Sequence, residues 1–325
     1  MVVNDQDDPL AHRAAPPQPT RLQRGRRIVW LGPAGLLGLL ASRPLHDHWW
    51  AIEAAANWSL QAGAAGLLIS LLALWRRAWW PTLISALAAL LLISLELTGP
   101  RAVWSAPSAD DLQLSVANIY FEQAATDELI ERLDSGGDDL LCLIECRPEA
   151  IARLQERSWR FQLAQPATDP TGIAIFSRRW ARLVSCERIG GYPLPVIDLD
   201  SAGGWLRICF IHPPPPVGQP WADIQRRYLD QLISIVQASP HPVIAIGDWN
   251  LTQASPRMKE LQEQTGLRRP HLISPASWPS PNYGLGLAID HCLISPDLAF
   301  TGHELIDLPG SDHRGQRLRL LVPFK

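Results

Sequence analysis

Apolar and polar positions follow two different rules along this chain, and the change comes near residue 100. From 28 to 99 hydrophobic residues run almost unbroken, in "IVWLGPAGLLGLLAS" (28–42), "WSLQAGAAGLLISLLALW" (58–75) and "AWWPTLISALAALLLISLEL" (78–97). A helix that crosses the bilayer hydrocarbon needs about 20 such residues. The second and third stretches reach that length, and the first is shorter and contains Pro33. Tryptophans near the ends of the longer two fit an interfacial belt. The pattern predicts a membrane anchor over 28–99 made of three transmembrane helices.

Beyond residue 112 short apolar runs alternate with amphipathic stretches of helical period. Strands are predicted over 112–120, 138–145, 171–178, 205–212, 241–250, 285–295 and 314–323. Helices are predicted over 122–135, 147–158 and 221–238, the second with Pro148 near its start. Such alternation predicts a layered α/β domain over 112–325. Residues 1–27 are polar and Pro-rich and close on Arg21, Arg24, Arg26 and Arg27, which reads as a disordered basic tail. Residues 100–111 read as a linker.

Charge adds an orientation. Arginines of the tail, and Arg76 and Arg77 between the second and third stretches, are expected on the cytoplasmic side. Three crossings then put the domain outside the cytoplasm, on a multi-pass protein of the plasma (inner) membrane. The whole-chain balance, 29 Lys and Arg against 32 Asp and Glu, excludes a generally basic nucleic-acid binder. None of the five cysteines forms a CxxC pair or a zinc-site spacing with histidine. Cys142, Cys209 and Cys292 lie in apolar runs and are expected to pack as small hydrophobes.

The candidate chemistry sits where the predicted strands stop. Asn118 ends the first, Glu145 the second, His212 follows "LRICFI", and Asp248 and Asn250 end "VIAIGDWN". Asp290 and His291 lie in "AIDHCLIS", and Asp312 and His313 in "GSDHRG". One polar site over one sheet edge would have this signature. Strand alternation would turn Asp248 and Asn250 to one face and Trp249 to the other, although an Asx turn there has the same sequence. Metal-assisted phosphoester hydrolysis suits the set: Glu145, Asp312 and Asn118 as hard oxygen ligands, His212 and His313 as imidazoliums for phosphoryl oxygens. Asp290 would then orient His313, with Asp248 as base and Asn250 fixing phosphate or water.

"GIAIFSR", "FIHPPP", "GDWN", "IDH" and "SDH", in this order, resemble the endonuclease/exonuclease/phosphatase superfamily, over about residues 112–323. That group includes deoxyribonuclease I, apurinic endonucleases, neutral sphingomyelinases and inositol polyphosphate 5-phosphatases. The resemblance implies a four-layer α/β/β/α sandwich and a hydrolase dependent on Mg²⁺ or Mn²⁺. It implies Glu145 and Asn118 at the metal, His212 and His313 as catalytic histidines, Asp248 and Asn250 as the "GDxN" pair, and Asp290 orienting His313. Either Asp248 or His313 would be the base, and His291 receives no role. The anchor resembles that of bacterial proteins linked to teicoplanin resistance, which implies a lipid-linked pyrophosphate as substrate. "PPPPV" after His212 departs from the family pattern, and only "SRRWAR" (177–182) and "LRRPH" (267–271) offer basic clusters. The expected function is therefore a membrane-anchored phosphoesterase. An extracytoplasmic nuclease acting on DNA or RNA is the alternative enzyme, and an inactive binding domain the alternative of another class.

Overall fold

The computed structural model describes residues 29–122, 126–134, 137–280 and 285–323. The tail at 1–27 and parts of the helix expected over 122–135 lie outside them. Twelve strands and eight α-helices are present among the described residues. The N-terminal helical segment comprises α1 (Leu31–Ser42), a 3-10 turn (Arg43–Leu45), α2 (Trp50–Ala56), α3 (Ser59–Trp75) and α4 (Trp79–Glu96). Next come β1 (Val103–Trp104), β2 (Leu112–Asn118), α5 (Asp127–Asp134), β3 (Leu140–Ile144), α6 (Pro148–Gln155), β4 (Phe161–Gln165) and β5 (Ile173–Ser177). The second half holds β6 (Ala181–Ile189), β7 (Tyr192–Ser201), β8 (Gly204–Ile211), α7 (Gln219–Gln237), β9 (Val243–Asp248), α8 (Pro256–Thr265), β10 (Asp290–Ile294), β11 (Ala299–Asp307) and β12 (Arg314–Leu321).

The strands form two mixed sheets, ordered β1-β11-β12-β2-β3-β5-β4 and β10-β9-β8-β7-β6. Their facing sides bury one apolar layer, with Leu114, Val116 and Ile175 of the first sheet against Ile208, Phe210 and Ile246 of the second. Alternate residues point outward to helices. Ala117, Leu141 and Leu143 pack against Leu129, Ile130, Ile151 and Leu154 of α5 and α6. Leu194, Cys209 and Ala245 pack against Tyr228, Leu229 and Leu232 of α7 and Met258 and Leu261 of α8. This double cover explains why β3 and β9 read as continuous apolar runs. The result is the expected four-layer sandwich.

The N-terminal helices invert the usual burial. On α3 the inward residues are Ser59, Gly63, Gly66, Ser70 and Ala73, and on α4 they include Ser85, Ala88, Ala89 and Leu92. Leu68, Leu71, Leu72, Leu83, Leu87 and Leu90 face outward. A β-carbon on Gly66 would meet the Ala89 side chain at 2.9 Å, so small residues are what lets the two backbones approach. Among the described residues only α4 is by itself long and apolar enough to cross a membrane, and α2 with α3, bent by 69°, would make a second candidate. With 12 residues, α1 extends about 18 Å, short of the roughly 30 Å hydrocarbon layer.

The segment expected as a linker lies against the domain. Val103–Trp104 adds a short parallel strand beside β11, and Trp104 Nε1 donates to the Pro270 carbonyl at 2.8 Å. The stretch between α1 and α3 is seated as well: Asp47 pairs with Arg257, Glu53 accepts from the Ser255 hydroxyl, and Trp50 N donates to Gln219 Oε1 at 3.2 Å. At the far end of α4, Arg269 Nη2 donates to the Thr98 carbonyl at 2.7 Å.

Candidate active site

Two parallel strand pairs set the geometry. Asn118 of β2 lies beside Ile144 of β3, so Glu145 emerges next to Asn118. Ile211 of β8 lies beside Gly247 of β9, so His212 emerges next to Asp248. β10 runs back along β9 with Asp290 opposite Asp248, and β12 begins just after His313. Six strand ends thus converge on one end of the sandwich.

The close approach of β8 and β9 depends on Gly247. Its φ is +152°, and a β-carbon there would lie 1.9 Å from the Ile211 carbonyl oxygen. Glu145 and Asn250 both adopt left-handed backbone, with φ of 57° and 52°. Non-glycine residues held there carry strain, a feature that clusters at functional sites. Strand alternation over 248–250 does not occur. β9 ends at Asp248, and Asn250 N donates to Asp248 Oδ1 at 2.9 Å in an Asx turn. The turn still brings Asn250 into the site, where its Nδ2 donates to the Pro213 carbonyl at 3.0 Å. Trp249 is fully buried, and its Nε1 donates to the His291 carbonyl at 3.1 Å.

Asn118 Nδ2 donates to Glu145 Oε1 at 2.9 Å and to Asp248 Oδ2 at 3.2 Å. Its oxygen accepts from Tyr120 N at 3.1 Å, and through its Nδ2 Asn118 orients both carboxylates in this arrangement. Phe121 N donates to Glu145 Oε2 at 3.3 Å. His212 Nε2 stands 3.7 Å from Glu145 Oε1 and 4.0 Å from Asp248 Oδ2. His313 Nδ1 lies 2.9 Å from Asp290 Oδ2, while its Nε2 lies 3.7 Å from Asp248 Oδ2. Asp312 Oδ2 accepts from Trp278 Nε1 at 2.8 Å, and Asp312 Oδ1 is buried without a hydrogen-bond partner.

Protonation follows from these surroundings. Burial and the neighbouring Asp290 push Asp248 up to about 7. Burial opposes charge on His313, but Asp290 and Asp248 outweigh it and the ring is pushed up to about 10. Burial, aided by His313, pushes His212 down to about 3. His212 is therefore a neutral imidazole at pH 7 here, which corrects the imidazolium expected from sequence. Burial raises Glu145, against the hydrogen bonds from Asn118 and Phe121.

The donor set fits a hard cation. Ligand atoms of Glu145, His212 and Asp248 lie within 4.8 Å of one another, as do those of Asp248, Asp290 and His313. Asp312 offers an unmet buried oxygen into the same cleft, and carboxylate oxygens are what Mg²⁺ or Mn²⁺ takes. The cleft measures about 550 Å³ and is also lined by Ala54, Trp58, Tyr192, Val217, Trp221 and Leu287.

A family model for the endonuclease/exonuclease/phosphatase family matches residues 116–313. The chain belongs to that family. It is accordingly a divalent-metal-dependent hydrolase acting on phosphoester bonds. Among solved structures, the 3′ phosphatase NExo from Neisseria, bound to a product DNA hairpin, is 16% identical with a TM-score of 0.53, over 66% of this chain and 99% of that one. Humanized TDP2 from D. rerio is 17% identical with a TM-score of 0.51, covering 66% and 100%. An endonuclease/exonuclease/phosphatase from Beutenbergia cavernae is 17% identical with a TM-score of 0.51, covering 65% and 71%. At these identities the likeness is one of fold. Among curated proteins none matches the chain.

The structure brings Asn118, Glu145, His212, Asp248, Asn250, Asp290, Asp312 and His313 together. His291 stands apart as a buried support, its Nε2 2.8 Å from the Leu251 carbonyl. Sequence reasoning missed Trp278, which holds Asp312, and Ser277, whose hydroxyl accepts from Asp290 N at 3.2 Å. It also missed Asn57, Trp58 and Ala54 of the N-terminal helical segment. Only Trp58 carried a signal, as a tryptophan at the edge of an apolar run.

Proposed function

We propose that this chain is a membrane-anchored, Mg²⁺- or Mn²⁺-dependent phosphoesterase that hydrolyses a lipid-linked phosphoester or pyrophosphate outside the cytoplasm. One observation carries the reading: anchor residues Ala54 and Trp58 line the same cleft as Glu145, Asp312 and His313. A polar floor with an apolar wall suits a phosphate attached to hydrocarbon. Outward leucines on α3 and α4 support a lipid environment, because exposed apolar surface of that extent is unusual on soluble helices. The seat of the 43–57 segment on the domain supports a placement of both on one side of a bilayer, the arrangement expected if α3 and α4 cross as a pair and Arg76 and Arg77 stay cytoplasmic.

Glu145 and Asp312 are the residues we assign to hold the ion, with Asn118 fixing Glu145. When bound, the ion polarises a phosphoryl oxygen and offsets developing negative charge. Asp248, fixed by Asn250 N–H and Asn118 Nδ2, takes the proton of the attacking water. His313, held through Nδ1 by Asp290, donates from Nε2 to a phosphoryl oxygen. Neutral His212 offers one further ring N–H.

The nuclease reading draws on the DNA-bound fold neighbours. Against it, no Lys or Arg occurs among the described residues lining the cleft, whereas nucleic-acid affinity rests on phosphate contacts to basic side chains. The test is a substrate panel on the full chain in detergent with Mg²⁺ or Mn²⁺: a polyprenyl pyrophosphate, a phospholipid, an inositol phosphate and plasmid DNA. Turnover of a lipid substrate is expected. DNA hydrolysis with both lipids untouched would reverse the ranking. A reporter fused after Lys325 should be active only outside the cytoplasm.

A further inference from the structure

The anchor's contribution to the cleft includes one polar side chain with no place in the family's site. Asn57, 6% exposed, sits between α2 and α3 and faces the turn that follows Asp248. Its Nδ2 donates to the Asn250 carbonyl at 3.3 Å, and its Oδ1 accepts from Thr252 N at 2.9 Å. One carboxamide thereby clamps the backbone on both sides of Leu251, whose carbonyl is held from the other direction by His291. This turn carries Asn250 in its left-handed conformation and, through Asn250 N–H, one of the two hydrogen bonds on Asp248.

We infer that Asn57 is a positioning residue for the hydrolytic reaction, so that the segment between the first two apolar stretches completes the active site as well as tethering it. The inference rests on the phosphoesterase reading above. A flexible tether would raise local concentration near lipid and leave the chemistry untouched. A clamp on Asn250 and Asp248 sets the geometry of the attacking water, where misplacement by about 1 Å can cost about 10²-fold. The two accounts separate on a substrate without hydrocarbon.

The experiment compares wild type, Asn57→Ala, Asn57→Asp and Glu145→Gln, all as full chains in detergent with Mn²⁺, on bis(p-nitrophenyl) phosphate. Asn57→Ala should lower kcat by about 10-fold or more with KM within about two-fold. Asn57→Asp keeps the acceptor for Thr252 N–H but loses the donor to Asn250, and should fall between the two. Amide exchange at Thr252 should accelerate in Asn57→Ala without added metal. Wild-type kcat in Asn57→Ala overturns the inference, as does a loss confined to lipid substrates. If Asn57→Ala does not fold, wild-type kcat in Asn57→Asp overturns it. Glu145→Gln separates the two failures. Where it abolishes turnover and the Asn57 variants do not reduce it, the phosphoesterase reading stands and the clamp falls. A wild type that hydrolyses no phosphoester sinks both.

Discussion

Asp248 and Asp290 occupy directly opposed positions on β9 and β10, and the His313 ring lies between their carboxylates, 2.9 Å from Asp290 and 3.7 Å from Asp248. Two buried acids side by side would repel, and one imidazolium between them relieves that. It also keeps His313 charged, so it serves as a donor to phosphate and Asp248 is left as the base.

Asp290→Asn should accordingly lower kcat by about 10²-fold or more, the range for a positioned acid–base group. The sign with pH is fixed by the shift. His313 is raised to about 10 with Asp290 present. Without that charge its protonated form is lost at lower pH, so the alkaline limb of the variant's pH–rate profile should move to lower pH than that of wild type. A pH–rate profile parallel to wild type would contradict the role.

Gly247→Ala tests the strand junction. The added methyl would sit 1.9 Å from the Ile211 carbonyl oxygen, on backbone with φ of +152°. Overpacking and backbone strain each cost about 1–3 kcal/mol, so a loss of about 3 kcal/mol is expected in urea unfolding. Activity should fall with it, because His212 and Asp248 flank the junction.

A second acid should control stability. Asp198, buried on β7, accepts from Arg207 Nε at 2.6 Å and from Arg182 Nη2 at 2.9 Å. Burial alone would raise it, but these two partners outweigh burial and hold it below the ordinary carboxylate range. A depressed carboxylate stabilises the fold above its unfolded-state pKa, and that contribution is lost as pH falls through the folded value. Asp198→Asn, which leaves buried Arg207 unpaired, should cost about 3 kcal/mol at pH 7. The difference from wild type should narrow in acid, and chemical denaturation at pH 7 and pH 3 measures both.

Trp58 should separate lipid from soluble substrates. It lines the cleft while 45% exposed, so its ring is free to cover hydrocarbon. Trp58→Ala should raise KM for a polyprenyl pyrophosphate roughly 10-fold, about 1.4 kcal/mol of apolar contact, and leave bis(p-nitrophenyl) phosphate unchanged. Equal effects on both would remove Trp58 from substrate recognition.

Much of this was legible in the chain. Strands covered on both faces announced themselves as apolar runs, and a polar residue closing each run pointed to one site. What escaped notice has physical reasons. β6 is an edge strand whose exposed positions mix Leu183 and Val184 with Arg182, Glu187 and Arg188, so it lacks a clear apolar period. β7 contains Pro193 and Pro195, which argue against an interior strand. They are tolerated because that end of β7 pairs only with β6, the ladder to β8 beginning at Val196. The Asp248–Asn250 relationship was right in outcome and wrong in cause, since a left-handed turn brings Asn250 in. Asn57 lay 193 residues from its partner Asn250, and no local pattern encodes such a contact.

The central claim is that residues distant in the chain hold a divalent ion for phosphoester hydrolysis, and a metal titration of turnover tests it most directly. Wild type in detergent should be silent in excess chelator and recover with Mg²⁺ or Mn²⁺. Glu145→Gln and Asp312→Asn should need far more metal and turn over about 10²–10³-fold more slowly at saturation. Full activity in chelator, or an unchanged metal requirement in both variants, would contradict the account.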